Sequence, residues 1–155
     1  MPRPIATNRV VDRDELLAFL RPRHRVILST TRADGTMQSS PVTAGIDGDG
    51  RLVVSTYPRR AKVRNLRHRP VASACVMSDE WNGPWTQVDG TAEVLDCPEA
   101  LQPLVEYYRC IAGEHPDWDE YRTAMEHQGK CLIRVTIKRW GPIATGGFPP
   151  DVAGI

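Results

Sequence analysis

The chain has 155 residues, with 20 Lys+Arg against 19 Asp+Glu, 41% apolar and 25% charged residues. This is the profile of one globular domain large enough to build a core without disulfides or metal. A formal charge of +1 removes any whole-molecule argument for nucleic-acid or anionic-membrane partners. No apolar stretch approaches the ~20 residues of a membrane helix, and the start Met1-Pro2-Arg3-Pro4 lacks the apolar run of a secretory signal, so a cytoplasmic location is expected.

In chain order, residues 1–11 form an N-terminal arm. Asp12-Arg-Asp-Glu15 then opens as a capping box, and Leu16, Leu17 and Leu20 share one side, which predicts a short amphipathic helix stopped by Arg21-Pro22. Arg25–Thr31 is rich in β-branched residues and is separated by Asp34-Gly35 from a second extended run, Met37–Ile46, a strong hairpin signal. Asp47-Gly-Asp-Gly50 predicts another turn, and Arg51–Thr56 a third strand. After Pro58 the period becomes helical, with Val63 and Leu66 on one face and Arg60, Arg64 and Arg67 beside it, until Pro70.

Val71–Met77 reads as a buried strand and Trp85–Leu95 as another. A helix is expected after Pro98 and a second in the acidic segment 115–125. Cys131–Ile137 is the last strand, and the Gly/Pro-rich tail 141–155 is expected to be irregular. About six strands in meander order, with short helices between them, predict one mainly β domain: a small barrel rather than a doubly wound parallel sheet. No strand-turn-helix unit carries G-x-G-x-x-G.

The four cysteines, Cys75, Cys97, Cys110 and Cys131, form no C-x-x-C pair and are expected to be free thiols, buried or half-buried. His24, His68, His115 and His127 show no metal-ligand spacing, and Asp47/Asp49 lack the later Glu of a calcium loop, so no metal is expected. No G-x-S-x-G or H-E-x-x-H occurs, and no catalytic side chain stands out.

Charge is distributed in blocks. Arg51 to Arg69 holds seven Lys/Arg and no acid, while Pro70 to Tyr108 holds seven Asp/Glu and no Lys or Arg. Within the basic block, Thr56 or Ser55 is placed to cap the following helix, Pro58 suits its first turn, and the first amides would then point outward beside Arg60 and Lys62. Two readings stand for this segment: an anion site at a helix start, or a solvated basic helix face. Trp85, at a strand start after Gly83-Pro84, has two readings as well, a surface for a planar ligand or a core or interface aromatic.

Several segments together resemble the deazaflavin-dependent enzymes of the pyridoxamine-phosphate-oxidase-like, FMN-binding split β-barrel group, common in mycobacteria and other actinobacteria. They are the Asp34-Gly35 hairpin with Gln38-Ser39-Ser40-Pro41-Val42, the stretch Pro58-Arg59-Arg60-Ala61-Lys62-Val63-Arg64-Asn65-Leu66-Arg67, Asp89-Gly90-Thr91-Ala92-Glu93 with Trp85, and the long segment Tyr108–Met125.

The resemblance implies a homodimer of six-stranded antiparallel split barrels with two cofactor clefts at the subunit interface. The implied cofactor is coenzyme F420, whose phosphate and oligoglutamate tail are anionic, with FMN as the alternative and haem or cofactor storage as a non-catalytic third reading. Ser55, Thr56, Arg60, Ala61 and Lys62 would hold the phosphate. Gln38, Ser40, Pro41 and Val42 would line the ring, and Trp85 and Gln87 would approach from the partner subunit. The implied reaction is hydride transfer from reduced deazaflavin to an activated double bond of a small organic substrate. Carboxylates of the acid-only block, Glu93 and Asp96 among them, are expected to pair with surplus arginines across the dimer.

Overall fold

Period-2 burial along the strands sorts side chains between a barrel interior and an outer face. The computed structural model describes residues 4–152. A short strand β1 (Thr7–Arg9) precedes helix α1 (Arg13–Leu20), followed by β2 (Arg25–Thr31), β3 (Met37–Ile46), β4 (Leu52–Thr56) and helix α2 (Ala61–His68). Then come β5 (Val71–Met77), β6 (Thr86–Asp96), helices α3 (Leu101–Ala112) and α4 (Trp118–Gln128), β7 (Cys131–Trp140) and β8 (Ile143–Thr145).

Six strands close an antiparallel barrel in the order β2-β3-β4-β7-β6-β5, as the mainly β reading predicts. The order is not a simple meander. α2 carries the chain across, so β5 pairs with β2 through Val76↔Val26, and β4 is closed by β7 through Val54↔Ile133.

Alternate residues of each strand fill the interior: Val26 and Leu28, Leu52 and Val54, Ala72 and Ala74, Ile133 and Val135 are all buried. Leu16 and Leu20 of α1 and Val63 and Leu66 of α2 join this core and plug the barrel. α1 begins as predicted, with the Asp12 carboxylate accepting from the Glu15 amide at 2.9 Å and the Glu15 carboxylate accepting from the Asp12 amide at 3.3 Å. The outer face of β4 and β7 supports a second core, where Val53 and Leu132 meet Leu104 and Val105 of α3 and Tyr121 of α4. Gly45 lets α3 approach, since a Cβ there would lie 2.9 Å from the Cys110 Cβ. The β6–β7 register shifts between Asp89 and Gly90, and a Cβ at Gly90 would collide with the Thr136 carbonyl oxygen.

Two expectations are corrected. The tail is not wholly irregular: Thr145 pairs with Thr7 and Ile143 with Arg9 of the N-terminal arm, a small sheet outside the barrel. The outermost parts of both predictions, residues 1–3 and 153–155, lie outside the described residues. α2 starts at Ala61, so Pro58 precedes it and neither Ser55 nor Thr56 caps it; the N-cap position is Arg60, without a side-chain cap. The chain turns through Tyr57–Arg60 first, closed by the Arg60 amide donating to the Tyr57 carbonyl at 3.1 Å. Within the chain, carboxylates of the acid-only block pair with arginines: Asp96 pairs with Arg67 at 2.8 Å, Glu93 accepts from Arg134 at 2.6 Å, and Asp89 accepts from Arg139 at 3.0 Å.

The four thiols are free; Cys131 is buried and the other three are half-buried. Among the described residues no helix is long and apolar enough to cross a membrane, and no group of three or more His, Cys, Asp or Glu is placed to hold a metal ion.

Candidate functional site at the open edge of strand β3 and the start of helix α2

β3 pairs with β2 along most of its length, but with β4 only from Ala44 to Ile46. The Met37–Thr43 half therefore keeps one free edge, and the barrel is split there. Pro41 fits such an edge, because it has no N–H to give to a ladder. The direction of the free backbone groups follows from Thr43, whose carbonyl accepts from the Tyr107 hydroxyl at 2.8 Å rather than from β2. Antiparallel alternation then aims the backbone of Ser39 and Pro41 toward the same open side. Gln38, Ser40 and Val42 lie on the interior face and are half-buried, whereas Ala44 and Ile46 further along are fully buried.

α2 borders this split. Asn65 Nδ2 donates to Thr30 Oγ1 at 3.1 Å, and Thr30 Oγ1 donates to Gln38 Oε1 at 3.2 Å. Gln38 is thus tied to the helix through one buried hydroxyl. Ser40 Oγ is buried and has no partner among the described residues. An orphaned buried hydroxyl costs about 1–3 kcal/mol, so a polar group supplied by a ligand would recover that cost.

At the mouth of the split, the α2 start carries Arg60 and Lys62, with no acidic residue in its first turn. This opposes the helix dipole, which favours anions at an N-terminus. Arg59, Arg60, Lys62 and Arg64 form no ion pair among the described residues, while Arg51 is held by Asp47 at 2.8 Å and Arg67 by Asp96 at 2.8 Å. The basic block therefore divides into paired structural arginines and an uncompensated set at the helix start. Burial, and then the neighbouring Arg60, push the Lys62 ammonium below its ordinary pKa.

Tyr57 organises the surrounding cations. Lys130 Nζ lies 4.2 Å from its ring centroid and Arg60 Cζ 5.7 Å. Lys130, at the far end of the chain, was not legible as a site residue, because it reaches the turn only through the Thr56↔Cys131 register of β4 and β7. Asn65, one helical turn from Ala61 within the quoted motif, was legible in principle as an i, i+4 neighbour.

The predicted site residues separate into groups. Gln38, Ser40, Thr56, Arg60, Ala61 and Lys62 gather around the split. Ser55 and Thr56 face opposite ways, Thr56 being buried and Ser55 half-buried on the face that α3 covers. Pro41 lies on the outer face of β3, away from Gln38 and Val42. Trp85 and Gln87 are at the other end of β6: its Asp96 end adjoins Cys131 and so Thr56, whereas Val88 adjoins Trp140. From Asp96 back to Gln87 the strand covers roughly 30 Å at about 3.3 Å per residue, and Trp85 lies further still, so neither residue reaches the α2 start of its own chain.

What these elements define is a split barrel with a cationic helix start at its opening. The family model for pyridoxamine 5'-phosphate oxidase matches residues 12–144, and the chain belongs to that family. Solved structures agree on the fold. A conserved hypothetical protein of Mycobacterium tuberculosis is 20% identical with a TM-score of 0.72, covering 90% of this chain and 89% of its own. A protein described as an F420 reductase is 20% identical with a TM-score of 0.60, over 80% of this chain and 94% of its own. The haem storage protein of Vibrio cholerae is 17% identical with a TM-score of 0.62, over 84% and 93%.

Proposed function

We propose that this protein is an oxidoreductase that holds coenzyme F420 at the β3 edge and the α2 start and serves hydride transfer to an activated double bond of a small organic substrate. One observation carries the reading: an uncapped helix start bearing Arg60 and Lys62, with no acid in its first turn, beside an edge strand with a partnerless buried hydroxyl. Four cations without ion pairs suit a ligand with several negative charges better than a single phosphate. The likeness in fold to an F420 reductase supports the choice.

When bound, the deazaflavin supplies the hydride; the chain supplies position and field. Lys62 and Arg60, with the free amides at Ala61 and Lys62, would hold the phosphate, and Arg59 and Arg64 would face the acidic tail. An anion there would offset the burial and the Arg60 repulsion that hold Lys62 below its ordinary pKa. The open backbone of Ser39 and Pro41 and the hydroxyl of Ser40 would meet polar atoms of the ring, with Gln38 fixed in place by Thr30 and Asn65. Trp85 and Gln87 take part in this reading only across a homodimer, each from the partner copy.

The test follows consumption of reduced F420 with a conjugated enone or quinone acceptor, in the wild type and in Lys62→Ala. Each charge-assisted hydrogen bond is worth about 1.5–3 kcal/mol, which corresponds to a loss of roughly tenfold or more in cofactor affinity. Unchanged affinity in Lys62→Ala would remove the phosphate assignment. Binding without turnover of any acceptor would favour a storage role, and preferential binding of FMN or haem would favour those cofactors.

A further inference from the structure

β3 and β4 both run on past the point where their pairing stops. The last pair is Ala44↔Val54, yet the next two residues in register, Thr43 and Ser55, still belong to these strands. The Ala44 amide donates to the His24 carbonyl at 3.0 Å on the β2 side, so alternation turns the backbones of Thr43 and Gly45 toward β4. Gly45↔Val53 is therefore a hydrogen-bonded pair, and Thr43 with Ser55 would be the next. In an unbroken ladder the Ser55 amide would donate to the Thr43 carbonyl.

A phenol stands in that place. The Tyr107 hydroxyl of α3 donates to the Thr43 carbonyl at 2.8 Å. Burial raises the Tyr107 pKa, and a hydrogen bond from the Ser55 backbone to the same hydroxyl works against that rise. One oxygen thus meets both halves of the missing ladder bond, as a hydroxyl can, because it donates once and still accepts. A direct bond holds nitrogen and oxygen about 2.9 Å apart, whereas a bridging hydroxyl holds them roughly 5 Å apart. The helix that carries this hydroxyl is itself well fixed. Leu104 and Val105 are buried against Val53 and Leu132, and the Tyr121 hydroxyl donates to the Leu104 carbonyl at 3.0 Å. Cys110 Sγ also donates to the Ile46 carbonyl at 3.1 Å. α3 therefore grips β3 at Ile46, one end of the stretch paired with β4, and at Thr43, just past the other end.

We propose that Tyr107 is a positioning residue: its hydroxyl stops β3 and β4 from zipping beyond Ala44↔Val54 and so fixes where the open β3 edge begins. Without the hydroxyl, Thr43 and Ser55 pair directly, Thr56 is drawn opposite Val42, and the mouth of the split narrows. The spacer role stands on the strands alone. Its effect on affinity rests on the cofactor reading above, since this edge is the one assigned to the deazaflavin ring.

Tyr107→Phe removes only the hydroxyl and keeps the ring against the second core, with folding checked by thermal melting. Scalar couplings through backbone hydrogen bonds, measured by NMR on the full-length protein without cofactor, report the ladder directly. The wild type shows a coupling from the Val53 amide to the Gly45 carbonyl and none from the Ser55 amide to the Thr43 carbonyl; Tyr107→Phe shows both. F420 affinity then falls by about tenfold in Tyr107→Phe, while turnover at saturating cofactor stays within about twofold, as expected where a change acts on binding alone. A Ser55-to-Thr43 coupling in the wild type overturns the proposal with no variant needed, and so does its absence from Tyr107→Phe. A coupling gained with F420 affinity unchanged overturns the positioning role. A wild type that binds no F420 overturns the cofactor reading instead, and the two couplings still decide whether Tyr107 sets the edge.

Discussion

Lys62 and Asp89 show two opposite uses of a half-buried charge. Lys62 is surrounded by burial and a like charge, so its ammonium is held below its ordinary value and stands ready for an anion. Asp89 is the reverse: burial alone would raise its pKa, but Ser73, Gln87 and Arg139 together hold the carboxyl below its ordinary value. A depressed carboxyl contributes stability that is fully present above the unfolded pKa of about 4 and disappears as pH falls through the lower folded value. Chemical denaturation from pH 7 down to pH 2.5 should therefore show the gap between wild type and Asp89→Asn closing in the acid range; a constant gap would mean that Asp89 acts by packing alone. At this scale the sequence was informative where chemistry is local. The motif around Arg60-Ala61-Lys62 could be read as cationic from its neighbours alone, whereas Lys130 could not, because only strand register brings it to Tyr57. Nor could the direction of Pro41, whose side depends on which residue of β3 begins the ladder.

Elements with strong local signals came out near their predicted bounds. The Asp12 box starts α1, the Asp34-Gly35 hairpin joins β2 to β3, and the Leu104 and Val105 face of α3 is buried. β1 and β8 were missed because each has three residues and is stabilised by a partner more than 130 positions away, such as Thr7 by Thr145. The α2 start was misplaced because Pro58 and two hydroxyl residues imitate a cap, while the chain spends Tyr57–Arg60 on a turn first. Two glycines set the element packing, and they differ in severity. Gly90→Ala places a carbon against backbone at the β6–β7 bulge, which no rotamer relieves, so loss of soluble folded protein or a drop of several kcal/mol is expected, beyond the ordinary mutational range of about 0.5–3 kcal/mol. Gly45→Ala meets side-chain atoms of α3, the Cys110 Cβ at 2.9 Å and the Ile111 Cδ1 at 3.3 Å, so about 1–3 kcal/mol is expected. Urea midpoints of the two variants give the order directly, and equal losses for Gly45→Ala and Gly90→Ala would refute it.

For the whole molecule, the barrel explains why one chain does not complete the expected cleft: β6 places Trp85 and Gln87 at the end remote from Arg60 and Lys62. Helices α3 and α4 cover the β3–β4–β7 side, while the outer face of β2, β5 and β6 carries Ser29, Val71 and Ser73 around an open depression. If a second copy covers that face, mixing Lys62→Ala with Trp85→Ala subunits should regenerate some wild-type clefts, since in a mixed dimer both defects fall in one cleft and leave the other intact. Mixed protein with no activity above either parent would argue for sites confined to single chains. The charge balance has a matching division: Arg51, Arg67, Arg134 and Arg139 are paired in the chain, whereas Arg59, Arg60, Lys62 and Arg64 around the α2 start form no ion pair among the described residues. The most direct measurement is a titration of the wild-type protein with F420 and with FMN, each at low and at moderate salt. F420 should bind more tightly, and its affinity should fall more steeply with salt because more charges are screened on the ligand. Equal or tighter binding of FMN with the same salt slope, or binding of neither, would contradict a site built at the α2 start for a polyanionic deazaflavin.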